Sequence, residues 1–149
     1  MTDALSVIIP VFNGQAYLAD ALRSVASQSV GEIEVIVVDD GSTDATCEVV
    51  KEFSDSRIRY IRQDKAGAAA ARNRGVDLAN GPLLAFLDAD DIWVEDKLLL
   101  QINSLLRNDG EMIFAHGEEF ISPDRLQKLG GQLEPHPGAH PFIYASTCG

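Results

Sequence analysis

The sequence predicts an α/β domain, a mostly parallel sheet with helices on both faces. Three observations lead there. Continuous Val/Ile/Leu runs recur between Ser6 and Leu87, segments of helical period separate them, and polar residues gather where the runs end. Strands buried on both faces read as unbroken apolar runs, because neither side of the sheet meets water.

In chain order, SVIIPVF (Ser6–Phe12) is the first strand, and Asn13-Gly14 behind it is a turn and a helix cap. Leu18, Ala21, Leu22 and Val25 then recur at helical spacing. IEVIVV (Ile33–Val38) is the second strand, closed by DDGSTD, where Ser42 or Asp44 can cap a helix carrying Val49, Val50 and Phe53. IRYI (Ile58–Ile61) is the third strand, and GAAAARNRGVDLANG holds a helix of small residues ended by Asn80-Gly81. LLAFL is the fourth, and a helix marked by Leu98, Ile102, Leu105 and Leu106 follows it. EMIFA, extended toward Ile121, is expected as a fifth strand. From Ser122 the chain is rich in Gly, Pro and His with little periodicity. The organisation expected is therefore a domain over 1–121 and a loop region over 122–149, incomplete at its C-terminus.

The 149 residues, 46% hydrophobic and 23% charged, suffice for one domain with a core. Lys and Arg number 12 against 23 Asp and Glu, a net charge of -11. Such a surface repels nucleic-acid backbone and anionic lipid, so nucleic acid is not an expected partner. An anionic small ligand would need local help from Arg, backbone N–H groups or a metal. Two cysteines, Cys47 and Cys148, imply no disulfide framework and fit a reducing compartment. With no leader-like start and no apolar stretch near the ~20 residues that cross a bilayer, a cytoplasmic location is expected.

Chemistry concentrates at the strand ends. In LLAFLDADDIW, Asp88, Asp90 and Asp91 crowd one turn. Carboxylates at i and i+2 can converge on a hard cation such as Mg²⁺ or Mn²⁺. The competing reading makes Asp90 or Asp91 a cap for a helix starting near Ile92. In VVDDGSTD, one carboxylate can accept from a ribose or a base N–H while Gly41 permits the turn. Asp39 and Asp40 point to opposite sides of the strand. Phe12 can stack on a planar base or belong to the core. Arg72 is expected to meet phosphate or a carboxylate, whereas Arg74 faces solvent. Trp93 lines a sugar site or packs, and Cys47 reads as a small buried hydrophobe. His116, His136 and His140 do not make a metal set.

SVIIPVFN, VIVVDDGSTD, GAAAARNRG and LLAFLDADD, in this order and spacing, resemble family 2 glycosyltransferases of the GT-A fold. The likeness is close from Ser6 to Asp91. It implies that Pro10, Phe12 and Asn13 line a nucleotide base pocket and that Asp40 hydrogen-bonds the base. Arg72 would lie near the diphosphate or base, Asp88 on the ribose side with Ala89 next to it. Asp90, with Asp88 beside it, would hold Mn²⁺ or Mg²⁺ against the diphosphate. The implied reaction passes a sugar from a nucleoside-diphosphate sugar, most often UDP-linked, to a hydroxyl of a saccharide or lipid acceptor, with inversion. In such enzymes the general base belongs to a later acidic motif that no residue before Gly149 matches, so no catalytic residue is assigned.

The first strand is not followed by G-x-G-x-x-G, which argues against a dinucleotide-binding domain. Three other readings compete: a nucleotide-binding module without turnover, a phosphoacceptor receiver, and a haloacid-dehalogenase-type phosphatase. The receiver lacks its Thr/Ser and Lys-Pro strand ends, and the phosphatase its Gly-Thr after D-x-D. An incomplete domain would also leave an apolar edge open, and with it a route to homo-oligomers.

Overall fold

A computed structural model describes residues 5–107 and 112–113. Strands β1 (Leu5–Val11), β2 (Ile33–Asp39), β3 (Ile58–Arg62) and β4 (Leu83–Phe86) alternate with helices α1 (Leu18–Ala26), α2 (Thr46–Glu52), α3 (Ala68–Leu78) and α4 (Lys97–Arg107). The strands lie in the order β3-β2-β1-β4, and every pair is parallel.

The two faces of the sheet are covered differently. Val7, Ile9 and Val11 of β1 and Val35 and Val37 of β2 pack with Leu18 and Leu22 of α1, Val50 of α2 and Leu98 of α4. On the opposite face Ile36 and Val38 meet Ala71 of α3. Alternation along a strand requires this division, since successive side chains point to opposite sides. The small residues of α3 let it lie directly on the sheet. A Cβ at Gly75 would stand 2.4 Å from Cγ2 of the fully buried Ile8.

The order of strands sets the position of the site. The chain builds outward from β1 through β2 to β3, then crosses back to add β4 on the other side of β1. A crevice therefore opens where the carboxyl ends of β1 and β4 part, the place where open parallel sheets bind ligands.

Several local expectations need correction. Asn13-Gly14 is a turn but not the cap of α1, which begins at Leu18 with Tyr17 in the cap position and no side-chain bond there. Leu18 N–H instead donates to the Gly14 carbonyl at 3.0 Å. After β4 the chain stays non-helical until Lys97, so neither Asp90 nor Asp91 caps α4. That helix is met by Gln28, whose Oε1 accepts from Leu98 N–H at 3.0 Å while its Nε2 donates to the Val94 carbonyl at 2.7 Å. A buried amide from α1's end thus satisfies an otherwise orphaned helix N–H.

The expected fifth strand falls on 111–121, of which 112–113 are described and lie outside any strand. His116, His136, His140, Cys148 and the region 122–149 lie outside the described residues. On outer strand β4, Leu84 is 42% exposed, and Leu100 and Leu106 of α4 are exposed as well. Among the described residues no helix is long and apolar enough to cross a membrane.

Candidate functional site

A cleft of about 340 Å³ occupies the crevice. Pro10 to Gly14 and Tyr17 line it from the β1 end, Asp40 from β2, Ala68, Ala71 and Arg72 from α3, and Asp88, Ala89 and Asp90 from β4. Pro10, Phe12, Asn13, Asp40, Arg72, Asp88, Ala89 and Asp90, all singled out in the sequence, are brought together here.

The wall formed by Phe12 to Gln15 is held by the loop after β2. Asn13 N–H donates to Ser42 Oγ at 2.8 Å, and Thr43 N–H donates to Asn13 Oδ1 at 2.8 Å. Gly14 N–H reaches Thr46 Oγ1 at 2.9 Å, and Gln15 N–H reaches Asp44 Oδ2 at 3.1 Å. Asn13 sits at φ 53°, a left-handed conformation that Asn tolerates better than most residues. The polar residues of GSTD thus serve a neighbouring loop as much as their own helix. Asp44 does reach α2, since its Oδ1 accepts Thr46 N–H at 3.0 Å from one place before the cap position.

The acidic pair after β2 divides as strand geometry requires. Asp39 is fully buried and accepts from Ser42 N–H at 2.7 Å and from the Tyr60 hydroxyl, with Arg62 Nη1 3.5 Å away. Burial, then the Asp39 carboxylate, push the Tyr60 hydroxyl above its ordinary pKa. Asp40 faces the cleft. Its Oδ1 accepts from Ala66 N–H and Gln63 Nε2, both at 2.8 Å, and its Oδ2 accepts from Gly67 N–H at 2.8 Å. The Ala66 and Gln63 bonds hold its pKa below the usual carboxylate value despite its burial. An ionised carboxylate offers about four acceptor positions, so Asp40 keeps room for one more donor.

At the third acidic position, Arg72 Nη2 lies 2.5 Å from Asp88 Oδ1. The crowded carboxylates therefore have a cationic partner within the fold. The Arg72 Nε is buried and has no hydrogen-bond partner among the described residues. Asp90 is exposed and makes no hydrogen bond or ion pair among them. Phe12 is 44% exposed, so it belongs to the cleft and not to the core. Trp93 is buried in the core beneath the Lys97 ammonium, 4.2 Å from its ring centroid. Burial lowers the Lys97 pKa to about 8. Cys47 is a free thiol, half-buried where full burial was expected.

The family model for glycosyl transferase family 2 matches residues 6–142 of this chain. The chain belongs to that family. Among its family 2 relatives, the Escherichia coli UDP-Glc:alpha-D-GlcNAc-diphosphoundecaprenol beta-1,3-glucosyltransferase WfgD is 36% identical over 132 residues, 82% of this chain and 52% of WfgD. The Streptococcus pneumoniae glycosyltransferase GlyA is 48% identical over 95 residues, 62% of this chain and 14% of GlyA. The chain thus spans about half the length of WfgD and a small part of GlyA. The Staphylococcus aureus TarS 1–349 structure in complex with UDP superposes with a TM-score of 0.66 at 29% identity, covering 70% of this chain and 32% of that one. The mannosyltransferase PcManGT from Pyrobaculum calidifontis, in complex with GDP-Man and Mn²⁺, shares the fold at a TM-score of 0.64 and 22% identity, over 84% of this chain and 37% of its own.

As a family 2 domain, the molecule can be tested for its fit to a divalent ion. No group of three or more His, Cys, Asp or Glu gathers among the described residues. The cleft instead offers the unpaired carboxylate of Asp90, with that of Asp88 nearby in sequence. One or two hard oxygen donors suit Mg²⁺ or Mn²⁺, which complete their shells with water and substrate phosphate. The residues fit. Tyr17, Gln63 and Lys65 escaped sequence reasoning. Tyr17 carries no motif signal, and the roles of Gln63 and Lys65 depend on a loop folding back over Asp40 and Phe12.

Proposed function

We propose that this domain binds a nucleoside-diphosphate sugar, UDP-linked, together with Mn²⁺ or Mg²⁺. In the whole protein it would transfer the sugar, with inversion, to a hydroxyl of a saccharide or lipid acceptor in the cytoplasm. One observation carries this reading. Phe12, Asp40, Arg72, Asp88 and Asp90, from four separate stretches of chain, line one cleft at the switch point of the sheet. The UDP in the TarS structure and the UDP-glucose in the name of WfgD support the choice of nucleotide.

Each side chain has a task its chemistry suits. Phe12 offers a ring face to the base, and Asp40 an acceptor for a base N–H. Asp88, oriented by Arg72, accepts from the ribose hydroxyls. Asp90, with Asp88 beside it, would hold the divalent ion, which supplies Lewis-acid stabilisation of the departing diphosphate. Among the described residues none is assigned as the general base.

Calorimetric titration with UDP, with and without Mn²⁺, tests the reading. Metal-dependent binding is expected, and no binding of any nucleoside diphosphate with metal would refute it. A second reading is nucleotide binding without turnover. Binding of UDP together with no hydrolysis of any UDP-sugar would select that reading for this chain.

A further inference from the structure

We propose that Gln28, just past the end of α1, is a positioning residue for the acidic turn from Asp88 to Asp90 and sets how tightly that turn holds a divalent ion. The proposal rests on the metal-dependent nucleotide reading above and adds to it a residue that does not line the cleft.

The acidic turn lies between two buried anchors. Leu87 and Trp93 both belong to the core, at 0% and 3% exposure, and residues 88–92 between them carry all three carboxylates. The anchors are held differently. Leu87 N–H donates to the Ile8 carbonyl at 3.1 Å, so the sheet fixes the first end. After Trp93 the chain is neither strand nor helix until Lys97. The indole is held by packing, its buried Nε1 having no hydrogen-bond partner among the described residues. Among those residues, two hydrogen bonds tie 93–96 to another element, and both come from the end of α1. Gln28 Nε2 donates to the Val94 carbonyl at 2.7 Å, and Ser29 Oγ donates to Asp96 Oδ1 at 2.5 Å.

Gln28 is 7% exposed and fully engaged. Its Nε2 also donates to the Ser24 carbonyl at 3.0 Å, while its Oε1 accepts from Leu98 N–H at 3.0 Å. Two carbonyls demand donors and one N–H demands an acceptor, so the amide fits one way round only. Val94 is thereby fixed relative to α1. The chain before α1 touches the same turn in front, since a Cβ at Gly14 would lie 3.7 Å from the Ala89 Cβ. Asp90 itself makes no hydrogen bond or ion pair among the described residues. A ligand carboxylate without support of its own takes its place from the backbone that carries it. Groups that orient metal ligands from behind typically change metal affinity by about 10–100-fold when lost.

The test titrates Mn²⁺, followed by electron paramagnetic resonance with UDP present, into the wild-type chain and the Gln28→Met and Ser29→Ala variants. Calorimetry with UDP alone accompanies it. Gln28→Met keeps the length and bulk of the side chain and removes all three bonds. It should weaken Mn²⁺ binding about tenfold, and metal-free UDP binding by less than about twofold. A merely structural Gln28 would lower the urea midpoint and leave the folded protein's Mn²⁺ affinity unchanged, which would overturn the proposal. Equal losses with and without metal would overturn it too, because they would make Gln28 a general support of the cleft. Ser29 is exposed, so Ser29→Ala leaves the core intact and should weaken Mn²⁺ binding about two- to threefold. Should Gln28→Met fail to fold, an unchanged Mn²⁺ affinity in Ser29→Ala would overturn the proposal. If the wild type binds UDP no better with Mn²⁺ than without, the underlying reading of the metal fails, and this inference with it.

Discussion

Arg72 on α3 and Asp88 after β4 form a half-buried ion pair, with Nη2 2.5 Å from Oδ1, although sixteen positions separate them in the chain. This contact joins the helix on one face of the sheet to the acidic turn at its end. Arg72→Ala should remove this ion pair. Removing one partner of a partly buried pair costs about 1–3 kcal/mol, so urea denaturation should register that loss. Nucleotide affinity should fall at least about tenfold with it. Arg72→Lys should restore much of the stability but less of the binding, because an ammonium lacks the planar fork. Equal recovery of both would argue that charge alone matters here.

Asp90 is exposed and caps no helix. Asp90→Ala should therefore change stability by no more than ~0.5 kcal/mol, the ordinary range for a surface site. Metal-dependent UDP binding should vanish in the same variant. Mn²⁺ titration followed by electron paramagnetic resonance, with UDP present, would check this directly. Retained Mn²⁺ binding would remove Asp90 from the metal assignment.

Gly75 permits a close helix–sheet approach, facing Ile8 across what would be 2.4 Å from an added Cβ. Alanine favours a helix interior by ~1 kcal/mol, but overpacking a buried contact costs ~1–3 kcal/mol. Ile8 is fully buried and its Cγ2, Cγ1 and Cβ all lie within 3.3 Å of the added Cβ, so the clash should win. Gly75→Ala is expected to destabilise. Combined with Ile8→Val, it should cost less than the two changes summed, which a double-mutant cycle would reveal.

Glu34 anchors the amino ends of the strands, opposite the cleft. It accepts from Ser6 Oγ at 2.5 Å, Asn80 N–H at 2.6 Å and Asn80 Nδ2 at 2.9 Å. Burial alone would raise its pKa, yet the bonds from Ser6, Asn80 and Gly81 outweigh it and hold the group at about 2 against an ordinary 4.5. The unfolded chain thus takes up this proton first. The stabilisation is complete above pH 4.5 and is lost as pH falls toward 2. Glu34→Gln should lower stability at neutral pH and flatten the decline across that window, measured by denaturant unfolding at a series of pH values.

Much of this molecule was legible in its sequence. VIIPV, VIVV and LLAF read as strands, the first two covered on both sides and LLAF left with Leu84 exposed at the sheet's edge, and their ends named many of the residues that line the cleft. Periodicity is a local record of burial, so it survives without knowledge of partners. Chain order of the motifs likewise sufficed to suggest the family.

Partnership was the part that only folding decided. Nothing in LDADD announces that Arg72 will neutralise Asp88, and GAAAARN, which pointed Arg72 toward phosphate or a carboxylate, does not say which of them it meets. Gln28 caps α4 from seventy positions away, where the sequence suggested Asp90 or Asp91. Gln63 and Lys65 reach Asp40 and Phe12 because a loop folds back on the turn after β2. A residue type states what it can donate or accept, but crossovers between strands decide what stands opposite it. The sequence by itself determined the layers, the edge that carries the chemistry and its acidic character. Tertiary structure decided which of those charges are already paired and which, Asp90 foremost, remain open to a ligand.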